Sequence, residues 1–228
     1  MHTGFLSIVM DYAEGGDVFG AIQKAKKDRK PFSETRILRW ITQALLALKY
    51  MHEKHILHRD LKSQNLFLTA NGVLKIGDFG ISKVLAHSFA CAKTTIGTPY
   101  YLSPEICKEQ PYSWASDIWA LGCILYELLC LKVPFDAPNL KGLVNKILRG
   151  PQPHLPHSVS QGLRSVCLDM LNRDSNQRPS CSDLLQRPII QAEIKKMLKE
   201  QDGDGGDGNT GYPNSGEGLK HKNNFVST

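Results

Sequence analysis

A mainly α fold, with short β-hairpins around one polar loop, is the class that this sequence predicts. Three observations carry the expectation. Ile37, Ile41, Leu45 and Leu48 recur at helical spacing. Residues 116–130 are apolar on nearly every face, the pattern of a helix buried on all sides. Leu66-Phe67-Leu68 and Val73-Leu74-Lys75-Ile76 flank Ala70-Asn71-Gly72, and Asn-Gly between two short apolar runs marks a hairpin. At 228 residues and 41% hydrophobic, the chain is long enough for one domain with a sizeable core.

The elements follow in order. Residues 5–10 read as a short strand running into a flexible connector, Asp11-Tyr12-Ala13-Glu14-Gly15-Gly16. Asp17 sits where a helix starts, with Val18, Phe19 and Ile22 on one face. Ser33 is a good N-cap, and Glu34 suits the positive end of the helix dipole. Phe32 and Ile37 are placed as a hydrophobic staple, so residues 34–52 are expected to form a long amphipathic helix. Beyond the hairpin and the buried helix, further helices are expected over 137–149, 159–172 and 180–186. Pro151, Pro153 and Pro156 oppose helix in one connector. After Glu200 the chain is glycine-rich and poor in aromatics, and residues 201–228 read as disordered.

Charge and cysteine usage narrow the function. The formal charge is +6, with a net −2 in residues 201–228 and therefore about +8 elsewhere. A basic domain can serve nucleic acid, an acidic membrane or a phosphate-bearing ligand. No aromatic-interleaved basic stretch or DNA-reading motif is present, so nucleic acid is not expected and a phosphate ligand fits better; most of the excess reads as solvated surface. The six cysteines show no CxxC pairing or metal spacing, which suits reduced thiols in a cytoplasmic or nuclear protein. The amino terminus lacks a basic n-region, so no secretory signal is expected. Residues 114–131 fall short of the roughly 20 needed to span a bilayer. They also carry Asp117 and Glu127, so no membrane anchor is expected. The Asp/Gly alternation after Glu200 lacks the twelfth-position glutamate of a calcium loop, Pro213 standing there instead.

The chemistry lies around the hairpin. His58-Arg59-Asp60-Leu61-Lys62-Ser63-Gln64-Asn65 precedes it, Asp78-Phe79-Gly80 follows it, and Ser103-Pro104-Glu105 closes the segment beyond. In this order and spacing, residues 5–190 resemble the eukaryotic protein kinases, specifically the helical C-lobe behind the ATP cleft. Further strings are similar to the NIMA-related group of Ser/Thr kinases: Glu14-Gly15-Gly16-Asp17, Asp60-Leu61-Lys62-Ser63-Gln64-Asn65, the run from Gly97 to Glu105, and the run from Pro134 to Leu140. Ser103, where alanine is commoner across kinases, is usual in that group.

The resemblance implies roles for individual residues. Asp60 matches the catalytic aspartate that accepts the substrate hydroxyl's proton. Lys62 would place its ammonium on the γ-phosphate, the Ser/Thr-kinase pattern, and Asn65 and Asp78 match the two Mg²⁺ ligands. Met10 stands at the gatekeeper position, Asp11 and Ala13 at the hinge that bonds adenine, and Phe67 at the floor under the base, with Val18 nearby. In the activation segment, Thr94 aligns with the activating phosphosite and could pair with Arg59 once phosphorylated. Thr98 matches the threonine that bonds the catalytic Asp and Lys. His58 and Phe79 match stacked core positions, Glu105 should pair with Arg178, and Asp117 resembles the aspartate that holds the catalytic loop. The implied ligands are ATP and Mg²⁺, the implied substrates are proteins with Ser/Thr hydroxyls, and cytoskeletal or regulatory partners are possible in the group. Its settings are cytoplasmic, nuclear, centrosomal or ciliary.

The family also holds ATP from a front lobe. Only 57 residues precede His58, and they include neither a glycine-rich phosphate loop nor a strand lysine. Gly15-Gly16 lies in the hinge and cannot substitute. The expected organisation is a remnant N-lobe strand and hinge over 1–13, a C-lobe over 14–190, and a helix end with a disordered Gly-rich tail over 191–228. The expected function is a truncated Ser/Thr kinase domain, weak or inactive by itself. The alternative is an inactive kinase-fragment binding module that competes for substrates or partners.

Overall fold

The computed structural model describes residues 12–78 and 99–204, with side chains to Glu200. The expectations for Met10, Asp11, Phe79, Thr94 and Thr98, for a strand over 5–10 and for the tail beyond 204 lie outside the described residues. Within them are eight α-helices and one antiparallel hairpin: α1 (Val18–Lys27), α2 (Glu34–Glu53), β1 (Leu66–Leu68), β2 (Leu74–Ile76), α3 (Pro104–Cys107), α4 (Trp114–Cys130), α5 (Leu140–Arg149), α6 (Gln161–Met170), α7 (Cys181–Leu185) and α8 (Pro188–Asp204).

Helix α4 is the axis of the core. Every residue from Ala115 to Leu128 is buried. Its Leu and Ile side chains each contribute about 1.5–3 kcal/mol by leaving water. Helix α2 packs along it with Ile37, Ile41, Leu45 and Leu48 buried, as their spacing predicts, and α6 packs on another side. The close approach of α6 requires Gly122, where a Cβ would lie 2.8 Å from Met170 Cβ.

Local chemistry sets the ends of the elements. Asp17 caps α1 by accepting from Gly20 N–H, and Ser33 caps α2 by accepting from Arg36 N–H. The hairpin pairs Leu66 with Ile76, Phe67 with Lys75 and Leu68 with Leu74. Its turn uses Gly72 at φ 74°, a left-handed conformation that suits glycine. The Trp40 indole N–H donates to the Gly72 carbonyl at 3.0 Å, pinning the turn to α2.

Several expectations are corrected. Helix α5 begins at Leu140 rather than 137, because Asn139 caps the Gly142 N–H at 2.8 Å and Pro138 precedes it. Helices α6 and α7 are also shorter than read, with Ser160 and Ser180 at their caps. Phe32, expected as a staple with Ile37, packs on the core that contains Ile37 and also meets the Trp40 ring at 5.3 Å. Phe19 is 36% exposed and does not share the buried face of Val18 and Ile22. Val73 lies outside the strand, exposed. Helix α8 continues through residues 201–204, which had read as disordered. Arg39 on α2 clasps it through Glu193 at 2.9 Å and Glu200 at 2.7 Å, a long-range tie that composition does not show.

Candidate active site

The loop from His58 to Asn65 is held from below. Asp117, in the first turn of α4 and wholly buried, accepts from the backbone N–H of His58 at 3.0 Å and of Arg59 at 3.2 Å. It also bonds the Tyr112 hydroxyl and His52 Nε2, so both carboxylate oxygens are used. Arg59 turns through a left-handed conformation, φ 67°, that these bonds help to enforce.

His58 ties the loop to the segment after the hairpin. Its Nε2 lies 3.0 Å from the Gly77 carbonyl, which can only accept, and its Nδ1 accepts from Asp60 N–H at 3.3 Å. Nε2 thus serves as the donor to Gly77 and Nδ1 as the acceptor from Asp60. With both nitrogens committed and no exposed surface, His58 is a structural clamp rather than a general base. Gly77 N–H in turn donates to the Asn65 carbonyl at 3.0 Å. Two hydrogen bonds thus fix the residue immediately before Asp78 against the catalytic loop. A Cβ at Gly77 would lie 2.7 Å from the Phe67 ring, so this backbone approach needs glycine. Asp78 is exposed, at φ 52°.

On the upper face Asp60, Lys62 and Asn65 converge. Asp60 Oδ2 accepts from Lys62 Nζ at 2.9 Å and from Asn65 Nδ2 at 3.3 Å; the same Nδ2 donates to the Asp60 carbonyl at 2.8 Å. Lys62 and Asp60 are 35% and 24% exposed, so the cluster opens to solvent on one side. Because the Asn65 amide nitrogen is turned to Asp60, its Oδ1 is the atom left for a cation. That oxygen and the Asp78 carboxylate are hard donors of the kind Mg²⁺ takes. Among the described residues there is no cluster of three His, Cys, Asp or Glu that could hold a metal by itself.

The connector ahead of α1 is fixed on the hairpin. Gly15 N–H donates to Leu68 O and Leu68 N–H to Gly16 O, both at 2.8 Å, and Asp17 bridges to Phe67. This lays the connector holding Ala13 beside β1, with Ala13 and Phe67 both half-buried. Val18 is fully buried and belongs to the core beneath.

Glu105 and Arg178 form a buried bidentate pair, at 2.8 and 3.1 Å. Ser116 Oγ donates to Glu105 at 2.7 Å, and the guanidinium lies over Trp119 and donates to the carbonyls of Ala115 and Asn172. Burial would raise the Glu105 carboxyl, yet Arg178 and Ser116 hold it below its ordinary value.

Sequence reasoning missed a second network. Tyr101 OH donates to Glu127 at 2.7 Å and accepts from Ser63 Oγ at 2.9 Å, joining the catalytic loop to α4. Burial pushes the Glu127 carboxyl above its ordinary value. One acid in an otherwise apolar helix stretch was a signal that it had a partner. His52 and Tyr112, the remaining ligands of Asp117, carried no such signal.

Residues 2–190 match the protein kinase domain model. The chain belongs to the protein kinase family. Relatives of this kinase domain include mouse serine/threonine-protein kinase Nek1, 50% identical over 199 residues, covering 87% of the chain and 16% of the relative. Mouse serine/threonine-protein kinase Nek4 is 43% identical over 196 residues, 86% of the chain and 24% of the relative. The probable serine/threonine-protein kinase nek3 of Dictyostelium discoideum is 47% identical over 204 residues, 88% of the chain and 18% of the relative. The kinase domain therefore spans less than a quarter of the length of these relatives, which are similar to it as Nek-type Ser/Thr kinases.

Proposed function

We propose that this domain transfers the γ-phosphate of ATP to Ser or Thr hydroxyls of protein substrates. The observation that carries the reading is the convergence of Asp60, Lys62 and Asn65 on a loop that Asp117 anchors and His58 couples to Asp78. Phosphoryl transfer asks a protein mainly to position the reactants and neutralise charge. Asp60 accepts the proton of the substrate hydroxyl as its oxygen bonds phosphorus and the bond to ADP breaks. Lys62 moves from Asp60 to the transferred phosphoryl group. Asn65 Oδ1 and Asp78 would hold Mg²⁺, which supplies charge neutralisation at the phosphates. Ala13 and Phe67 would meet the adenine. The five described cysteines are unpaired thiols, which supports a cytoplasmic setting.

The 228 residues include no glycine-rich loop and no strand lysine for the α- and β-phosphates. The test therefore has two arms. The chain itself should bind an ATP analogue weakly and only with Mg²⁺, and Asp78→Asn should abolish that. A chimera carrying a Nek relative's glycine-loop lobe ahead of this chain should phosphorylate a Ser/Thr peptide, and Asp60→Asn should stop it. Transfer by the Asp60→Asn chimera at the parent rate would overturn the reading.

A further inference from the structure

Residues 24–30, Lys-Ala-Lys-Lys-Asp-Arg-Lys, carry a net +4, two thirds of the chain's formal +6. All five cations are exposed. Among the described residues none of them forms an ion pair. The backbone gathers them. Arg29 N–H donates to Lys26 O at 3.2 Å and Lys30 N–H to Ala25 O at 3.0 Å, a Schellman motif that curls the chain back over the last turn of α1. Arg29 occupies the left-handed position of that motif, φ 50°, where glycine is the unstrained choice. A cation is kept there at a cost in backbone strain. Three lysines in the last turn already satisfy the helix dipole, so Arg29 and Lys30 extend the charge beyond what the helix uses.

The helix that carries these cations lies beside the active site. Helix α1 packs against the Ser63–Asn65 turn. Ser63 in that turn bonds the Tyr101 hydroxyl, which donates to the buried Glu127. The ridge thus borders the face on which a protein substrate would lie. Residues 23–31 offer no aromatic for base stacking and no apolar anchor for a bilayer, which disfavours RNA and membrane.

We propose that Lys24, Lys26, Lys27, Arg29 and Lys30 form a docking ridge for an acidic segment of the protein substrate, rich in carboxylates or phosphates and a few residues from the acceptor hydroxyl. The inference rests on the kinase reading of the site. A cationic ridge of this kind raises the encounter rate and selects by charge, and salt weakens it.

The test is fluorescence anisotropy of the whole chain with two labelled peptides. Both carry one Ser acceptor, flanked by Asp/Glu in one and by Asn/Gln in the other. The acidic peptide should bind about tenfold more tightly at low salt, and the advantage should shrink at physiological salt. Lys24→Gln/Lys26→Gln/Lys27→Gln should remove the preference, while Lys195→Gln/Lys196→Gln on α8 should keep it; circular dichroism confirms that both fold. Equal affinities, or an undiminished preference in the α1 variant, would overturn the proposal. So would tighter binding, dependent on the same lysines, of a single-stranded RNA or of phosphatidylserine vesicles. No nucleotide is needed, so failure of Mg²⁺–nucleotide binding strikes the kinase reading alone. The chimera's turnover should follow the same peptide preference; identical turnover of both peptides despite selective binding would overturn the substrate assignment.

Discussion

The two faces of the catalytic loop are built on opposite principles. Below, Asp117 and His58 are wholly buried and each is committed to several partners at fixed geometry. Above, Asp60 and Lys62 are partly exposed, and Asp60 bonds both Lys62 and Asn65. The lower face spends its polar groups on one conformation. The upper face keeps exchangeable bonds open to solvent, which the proposed phosphoryl transfer requires. Rigidity beneath would then let the groups above be both positioned and available.

The sharpest test of this division is a crossed pair of substitutions. Arg178→Ala leaves Glu105 buried without its cation and should cost about 3–5 kcal/mol of stability, read as a large drop in thermal midpoint. Asp60→Asn should leave the midpoint nearly unchanged while lowering phosphotransfer by the chimera about 10²–10⁴-fold. A stable Arg178→Ala protein, or an unfolded Asp60→Asn one, would break the comparison.

Next in size is Asp117→Ala. It strands the N–H groups of His58 and Arg59, together with Tyr112 and His52. With unsatisfied buried donors at roughly 1–3 kcal/mol each and partial relaxation, a loss of about 2–4 kcal/mol is expected in chemical denaturation. Hydrogen exchange at residues 58 and 59 should quicken more than in the core of α2. Equal protection in the two places would show that the loop does not depend on this carboxylate.

Much of this division was legible in sequence, for reasons that differ by residue. Asp60, Lys62 and Asn65 are close in the chain, so one loop suffices to bring them together. Asp17 and Ser33 act within a single turn, and their caps follow from side-chain chemistry alone. The Glu105–Arg178 pair spans 73 positions and was accessible only through the family resemblance. The clasp of Arg39 on Glu193 and Glu200 has no local signature. Nor has the Tyr112 hydroxyl, whose role depends on α4 arriving beside it. The basic run at 24–30 was visible as charge, but its place next to the catalytic loop came from the packing of α1.

A smaller effect separates two buried carboxylates by pH. Glu105 is held below its ordinary value of about 4.3, so its contribution is present above that value and is lost as pH falls through the lower folded value. Glu127 is raised by burial, and the sign reverses: the folded state keeps a proton that the unfolded state has released. Stability should therefore decline as pH rises from about 4.3 to the raised folded value. Glu127→Gln, which can still accept from Tyr101, should flatten that decline. Glu105→Gln should flatten the acid limb instead. Denaturation midpoints across pH 3–8 decide it, and matching curves for the two variants would remove the distinction.

The smallest effect concerns the ridge on α1. Arg29 holds a left-handed conformation with an exposed side chain, so its replacement removes strain and little packing. Relief of about 1–2 kcal/mol of left-handed strain, less roughly 0.5–1 kcal/mol for glycine's greater unfolded-state freedom, leaves a net gain of about 0.5–1 kcal/mol for Arg29→Gly. A protein that becomes more stable while losing affinity for the acidic peptide would mark Arg29 as retained for binding against the preference of the fold. If stability rises and peptide affinity is untouched, Arg29 lies outside the docking ridge, and Lys24, Lys26 and Lys27 carry the selection.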